Sequence, residues 1–222
     1  MNILTPTADG SNTLYNEEIG EHYHSAHGAL QESRHVFIEA GLNYHLTRSN
    51  ADKIKLLEVG FGTGLNFLLS FAEAESSGRG LSYTGIEAFP LPLEIISGTG
   101  YDQYVPEALW EALLSRYEAC LHNRQQLSEK VDLEIMPQKL ENINLPDHFD
   151  LIYYDAFSVR HQPDMWTDEI IAHTCNFLRP DGIFVSYAIT GKLKRCLKSC
   201  GLTIEKLPGA PGKREMIRAL KV

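Results

Sequence analysis

The sequence predicts an α/β fold: a mostly parallel sheet of seven strands with helices on both faces and a closing antiparallel hairpin. Three observations point there. Short apolar runs alternate with segments of helical period. A glycine-rich turn follows the first such run, and the last 22 residues, "GLTIEKLPGAPGKREMIRALKV", read as two strands around a Gly/Pro turn. At 222 residues the chain has room for one domain, taken as residues 1–222.

In chain order, about 53 residues precede the first strand, and residues 26–48 have helical period. Residues 1–53 are therefore expected to form a helical extension that covers the ligand site. "IKLLEV" (54–59) is the first strand, and "LNFLLSFAEAE" (65–75) is a helix closed by Ser-Ser-Gly. "LSYTGIEA" (81–88) is the second strand, ending on a carboxylate. Residues 90–128 form a long helical crossover interrupted by "GTGYDQYVP", and "VDLEIMPQ" (131–138) and "FDLIYYDAF" (149–157) are the third and fourth strands. Thr167 reads as the N-cap of a helix with acids in its first turn, which Pro180-Asp181-Gly182 should stop before the fifth strand, "GIFVSYAIT" (182–190).

Composition sets bounds on function. Hydrophobic residues are 43% and charged residues 22%, ordinary globular usage. No apolar run approaches the roughly 20 residues that span a bilayer, and the N-terminus lacks a basic segment followed by an apolar one, so a cytoplasmic protein without membrane contact is expected. Cys120, Cys175, Cys196 and Cys200 form no C-x-x-C pair and should be reduced thiols. His22, His24 and His27 lack a supporting acid or cysteine pattern, so no metal is expected; His24 and His35 are assigned instead to orienting a lid. The net charge of −9 argues at first against a nucleic-acid partner. It hides an asymmetry: residues 191–222 carry +7 and the rest −16.

"LLEVGFGTGLNFLL" (56–69) places Gly60, Gly62 and Gly64 where the first strand turns into its helix, the usual ligand crevice of a parallel sheet. A dinucleotide fingerprint needs Gly or Ala at position 65 or 67, which are Leu and Phe, and no G-K-[ST] triplet completes a phosphate loop. Glu87 ends the next strand and can accept both hydroxyls of a ribose. With no lysine or arginine in the loop for a pyrophosphate, the indicated ligand is an unphosphorylated adenosyl group, which fits S-adenosylmethionine. On the fourth strand, Asp155 ends "LIYYD" beside a largely apolar pocket. A carboxylate there can orient an amine's lone pair and stabilise the ammonium that forms.

E-x-G-x-G-x-G followed by an acid resembles motifs I and II of the class I, Rossmann-like methyltransferases. That resemblance assigns Glu58 to the loop and the methionine end of the cofactor, Glu87 to the ribose and Gln138 to the adenine edge, with Phe61, Thr63 and Asn66 of the loop beside them. Amine-modifying members often carry D-P-P-Y or N-P-P-Y after the fourth strand, where this chain has D-A-F-S. "YHSAHGALQESRHVF" (23–37), "YYDAFSVRHQPDMWT" (153–167), "LRPDGIFVSYAITGKLKRCL" (178–197) and "GAPGKREM" (209–216) together resemble the methyltransferase of the MnmC/MnmD family. The likeness runs from about Tyr23 to Met216. It implies S-adenosylmethionine-dependent methylation of the 5-aminomethyl group of the wobble uridine, usually 2-thiolated, in the anticodon stem-loop of tRNA.

By the same resemblance Asp155 faces the acceptor amine, and Tyr23, Ser25 and Glu32 close over the cofactor. Phe157 and Trp166 are candidates to border the base, since an isolated nucleotide is usually stacked on an aromatic ring, or either is a core residue instead. Lys194, Lys213 and Arg214 are assigned to the RNA. Many relatives fuse this module to a flavin oxidase. Here no flavin domain is expected, so the chain should only methylate, with the amine supplied by upstream enzymes. The acidic body also fits a methyltransferase of a free small-molecule amine, and a non-catalytic cofactor-binding module would share the glycine loop.

Overall fold

The computed structural model describes residues 1–145 and 148–222. The chain begins with a small antiparallel sheet, β1 (Asn2–Pro6), β2 (Asn12–Asn16) and β3 (Glu21–His22). This corrects the expectation that residues 1–53 are helical. The strands are short and their burial does not alternate: β1 is mostly exposed, while Thr13 and Leu14 of β2 are buried side by side and Leu14 joins the main core. A signal was present in Asp9-Gly10 between two short runs of strand-like residues. Asp9 fastens the turn to the helix that follows: Oδ1 accepts from Thr7 and Ser11 and Oδ2 from the Gln31 N–H at 2.9 Å. Burial works against its charge, but these bonds prevail and hold its carboxyl below the usual range.

The expected helix of residues 26–48 is one continuous rod: α1 (Ala29–Ser33), a wide-turn π segment (Arg34–Asn43) and α2 (Tyr44–Arg48). It leads into the main sheet. β4 (Lys53–Val59) is followed by α3 (Leu65–Ser77) and β5 (Gly80–Ile86). The crossover contains α4 (Leu93–Ser97), a 3-10 turn and α5 (Glu107–Cys120), and a two-residue edge strand β6 (Gln125–Gln126) precedes β7 (Val131–Met136). Then come β8 (Phe149–Tyr154), α6 (Asp168–Asn176), β9 (Leu178–Ser186), α7 (Gly191–Ser199) and the hairpin β10 (Leu202–Pro208) and β11 (Glu215–Lys221).

The order is β10-β11-β9-β8-β4-β5-β7-β6. Among the described residues the seven expected strands are present, with β6 as an eighth. The five central strands are parallel, and β11 inserts antiparallel between β9 and β10. Alternation along each strand fills two cores. Ile54 and Leu56 of β4 pack with Phe37, Phe67 and Leu113 on one face, while Leu57 and Val59 pack with Trp166, Ile171 and Leu197 on the other. Thr167 caps α6 by accepting the Ile170 N–H. Pro180-Asp181-Gly182 does not stop that helix. It lies within β9, where pairing to β8 jumps from Phe149↔Leu178 to Leu151↔Ile183, because a residue without N–H is excluded from an unbroken central ladder. No helix among the described residues is long and apolar enough to cross a membrane.

The connection after β4 leads to α3 on one face of the sheet, and the connection after the adjacent β8 leads to α6 on the other. A crevice therefore opens beyond the carboxyl ends of these strands, where Gly60, Glu87 and Asp155 lie.

Candidate active site

The glycine loop is tied to both neighbouring strands. The Gly60 and Phe61 N–H groups donate to Ile86 O (2.9 and 3.2 Å), and the Asp155 N–H donates to Val59 O (2.9 Å). Gly60 has φ 88°, and a Cβ there would stand 2.5 Å from the Asp155 carbonyl oxygen. Glycine thus lets the backbone just beyond β8, at Asp155 and Ala156, lie against the loop. Gly62 has φ 53°, packs on the Tyr23 ring and donates its N–H to Glu87 Oε2 at 2.9 Å. Glu87 Oε1 accepts from the Phe89 N–H at 3.0 Å. Burial pushes the Glu87 carboxyl up, while the Phe89 and Gly62 bonds oppose the shift.

A cavity of about 550 Å³ opens on this loop, lined by Tyr23, Gly60, Phe61, Gly62, Glu87, Gln138, Asp155 and Phe157. Met1, Asn2, Asn16 and Ile19 of the N-terminal sheet wall its other side. Asn12 Nδ2 donates to Thr99 O at 2.9 Å and holds that sheet to the crossover. A second cavity of about 270 Å³ shares Tyr23, His24, Ala156 and Phe157 with the first and adds Ser25, Glu32, Tyr187 and Lys213. Tyr23 and Phe157 meet edge to face, 5.0 Å between centroids, at the partition.

Comparison with known proteins decides the class. Residues 105–222 match a family model described as S-adenosyl-L-methionine-dependent methyltransferase. The chain belongs to that family.

Two relatives of this methyltransferase are each called tRNA 5-methylaminomethyl-2-thiouridine biosynthesis bifunctional protein MnmC. The one from Campylobacter hominis is 33% identical over 93% of this chain, and the one from Magnetococcus marinus 32% over 90%. The methyltransferase spans only 31% of the length of each. The crystal structure of MNMC2 from Aquifex aeolicus shares the fold, with TM-score 0.76 and 23% identity, covering 99% of this chain and 70% of that one.

The larger cavity fits the cofactor. The methyltransferase presents bare backbone at Gly60 and Gly62, and Glu87 retains lone pairs beyond the two that its backbone donors engage. Phe89, 74% exposed, adds an aromatic ring at the rim that sequence reading did not select, although it directly follows "EA".

Other assigned residues stand behind the cavity wall. Glu58 is fully buried and does not line it: strand alternation turns the side chain into the core, where Asn66 Nδ2 and Tyr83 OH donate to its two oxygens, each at 2.8 Å. Asn66 gives its other amide hydrogen to Asp155 Oδ2, also at 2.8 Å. Thr63 bonds Tyr101 OH at 3.1 Å, and the Gly64 N–H returns to Phe61 O, so both shape the loop from behind. Trp166 is core: its Nε1 donates to Phe157 O at 2.7 Å and its ring packs on Tyr154, so it steadies Phe157 without bordering the cavity. Ser25 and Glu32 border the smaller cavity and not the larger one. His35 is turned away and meets Pro208 O at 2.7 Å.

The basic tail is partly spent inside the fold. Lys213 Nζ pairs with Glu32 Oε2, Arg218 pairs with Glu205 and lies 3.4 Å from the Tyr44 ring centre, and Lys221 bonds the Cys175 and Leu178 carbonyls. Lys194 is half-buried and Arg214 exposed, and neither lines a cavity. With Lys192, Arg195 and Lys198, Lys194 forms a basic run on α7, which starts at the carboxyl edge of the sheet beside Tyr187.

Charge inside the site is strongly perturbed. Burial pushes Asp155 up to about 8, helped by the Glu32 charge and opposed by the Asn66 bond and Lys213. Glu58 is raised well above the ordinary range by burial and then by Asp155. Burial brings His24 down to about 4, against the pull of Glu32, and its buried Nδ1 has no partner among the described residues.

Proposed function

We propose that this methyltransferase modifies the 5-aminomethyl group of (2-thio)uridine at wobble position 34 of tRNA, giving 5-methylaminomethyl(-2-thio)uridine. The observation that carries the reading is Asp155, a buried carboxylate pushed up to about 8 and held by Asn66 in the wall of the larger cavity, next in sequence to Ala156, which both cavities share. When bound, the cofactor supplies an electrophilic methyl group whose thioether leaving group needs no proton. Glu87, Gln138 and the Gly60–Gly62 backbone hold its adenosyl part. Asp155 draws the acceptor amine toward the cofactor cavity, takes the proton that must leave before the nitrogen lone pair is free, and balances the charge that develops. Phe157 and Tyr23 border the reacting group, and the α7 cations meet backbone phosphates of the anticodon stem-loop.

The names of the MnmC relatives support this acceptor. Upstream enzymes supply the amine, and the setting is the cytoplasm. The test is incubation with labelled S-adenosylmethionine and hypomodified tRNA carrying 5-aminomethyluridine, followed by nucleoside mass spectrometry. Methyl transfer to the wobble nucleoside is expected; no transfer, with cofactor binding intact, refutes the reading. The acidic body favours a second reading, a free small-molecule amine as acceptor, which predicts indifference to competing bulk tRNA and to salt.

A further inference from the structure

The smaller cavity contains a primary alkylammonium supplied by the protein itself. Lys213 Nζ stands 2.5 Å from Glu32 Oε2 and 3.6 Å from the centre of the Tyr187 ring. The cage has a fixed frame. Glu32 has a 6% exposed side chain, and its Oε1 accepts the Ser25 N–H at 3.0 Å, which leaves Oε2 for a cation. Tyr187 OH donates to Ala156 O at 2.9 Å, which fixes the ring face that receives the cation. Glu21 adds a second carboxylate to the lining, and Lys213 is the one Lys or Arg among the described residues there.

Lys213 enters this cage from outside. It sits on the turn between β10 and β11, closed by the Gly209 N–H to Arg214 O bond, and its side chain is 32% exposed. The side chain can therefore leave toward solvent without disturbing the sheet. The cage shares four lining residues with the cofactor cavity, and Asp155 feels both Glu32 and Lys213.

We propose that this cage is the subsite for the acceptor's primary ammonium, and that Lys213 occupies it in the acceptor-free protein and withdraws when the acceptor enters. The proposal rests on the amine-methylation reading above. A lysine side chain and an aminomethyl group end in the same CH2–NH3+, so the contacts that hold one fit the other. A buried carboxylate left without a cation is costly, and Lys213 keeps the site charge-balanced between turnovers.

The test uses ethylammonium as the probe. Lys213→Ala vacates the cage, so calorimetry should show saturable ethylammonium binding at least tenfold tighter than in the unsubstituted protein. Adding Glu32→Gln should abolish that gain. With tRNA present, ethylammonium should inhibit Lys213→Ala competitively against the RNA. If Lys213 is instead a permanent partner of Glu32, ethylammonium will restore activity to Lys213→Ala, and the proposal falls. It falls equally if Lys213→Ala binds ethylammonium no better than the parent. In the unsubstituted protein carrying lysine labelled with carbon-13 at Cε, saturating ethylammonium should move the Lys213 Cε–Hε NMR signal out of the Tyr187 ring current, a readout independent of how well the variant folds; an unmoved signal counts against displacement. Because these binding and NMR measurements need no RNA, failure of the tRNA reading stays distinguishable from failure of the cage.

Discussion

Asn66→Leu perturbs the site at its most connected point. The asparagine is 3% exposed, and its two amide hydrogens reach Asp155 Oδ2 and Glu58 Oε1 at 2.8 Å each. Leucine keeps the branched shape and removes both donors. A hydrogen bond to a charged group is worth about 1.5–3 kcal/mol. At about 1.36 kcal/mol per pKa unit, losing one lifts Asp155 by roughly one to two units from its starting value of about 8. A proton acceptor must be ionised, so the rise of kcat/KM with pH moves in the alkaline direction. The expected loss at neutral pH is about ten- to a hundredfold, narrowing as pH rises past the shifted value. The assay is a pH profile of methyl transfer to hypomodified tRNA at saturating cofactor. The positive charge of bound S-adenosylmethionine lowers the limb in both proteins, so the displacement between profiles is the quantity read. Calorimetric cofactor binding and thermal melting separate a folding defect from a shifted base. Superimposable profiles, or an equal loss at every pH, refute the role of Asn66 in holding the Asp155 charge.

Three further outcomes follow from the same geometry. Gly60→Ala puts a Cβ 2.5 Å from the Asp155 carbonyl in a left-handed conformation; the backbone strain alone is about 1–2 kcal/mol, so a lowered melting temperature and at least tenfold weaker cofactor binding are expected, and an unchanged dissociation constant would contradict the close approach. His24 has a folded pKa of about 4 against about 6.5 unfolded, so the unfolded chain takes up the proton first and this contribution to stability is lost as pH falls from about 6.5 to 4, on the order of 3 kcal/mol. His24→Gln should be correspondingly less acid-sensitive in urea titrations, and equal sensitivity would remove His24 as the cause. Replacing Lys192, Lys194, Arg195 and Lys198 of α7 by glutamine should weaken tRNA binding and flatten its salt dependence while leaving cofactor binding unchanged; an unaltered salt slope would place the RNA elsewhere.

Legibility in the sequence followed the range of the interaction. The glycine loop, Glu87 and the end of the fourth strand could be read because short-range rules of strand, turn and helix place them at one edge of a parallel sheet. Spacing alone leaves Trp166 open between core and cavity and puts Glu58 near the edge, because the direction of a side chain depends on which face of the strand or turn it leaves. Glu58 faces the core and reaches the loop through Asn66. The N-terminal sheet escaped notice because it buries few side chains of its own, and its value lies in walling a cavity built by residues far along the chain. The "PDG" stop was overruled by tertiary pairing, which absorbed the proline in a bulge.

By itself, the sequence determined the alternation of strands and helices, the bare loop and the two carboxylates at strand ends, because backbone stereochemistry and hydrophobic period act over a few residues. Only the tertiary structure decided how those groups are charged and paired. Lys213 and Glu32 are 181 positions apart, and Asn66 and Asp155 are 89 apart. Their meeting depends on strand order and on the N-terminal sheet, and so does the burial that raises Asp155 and lowers His24. Desolvation depends on everything packed around a group, and no local spacing encodes it.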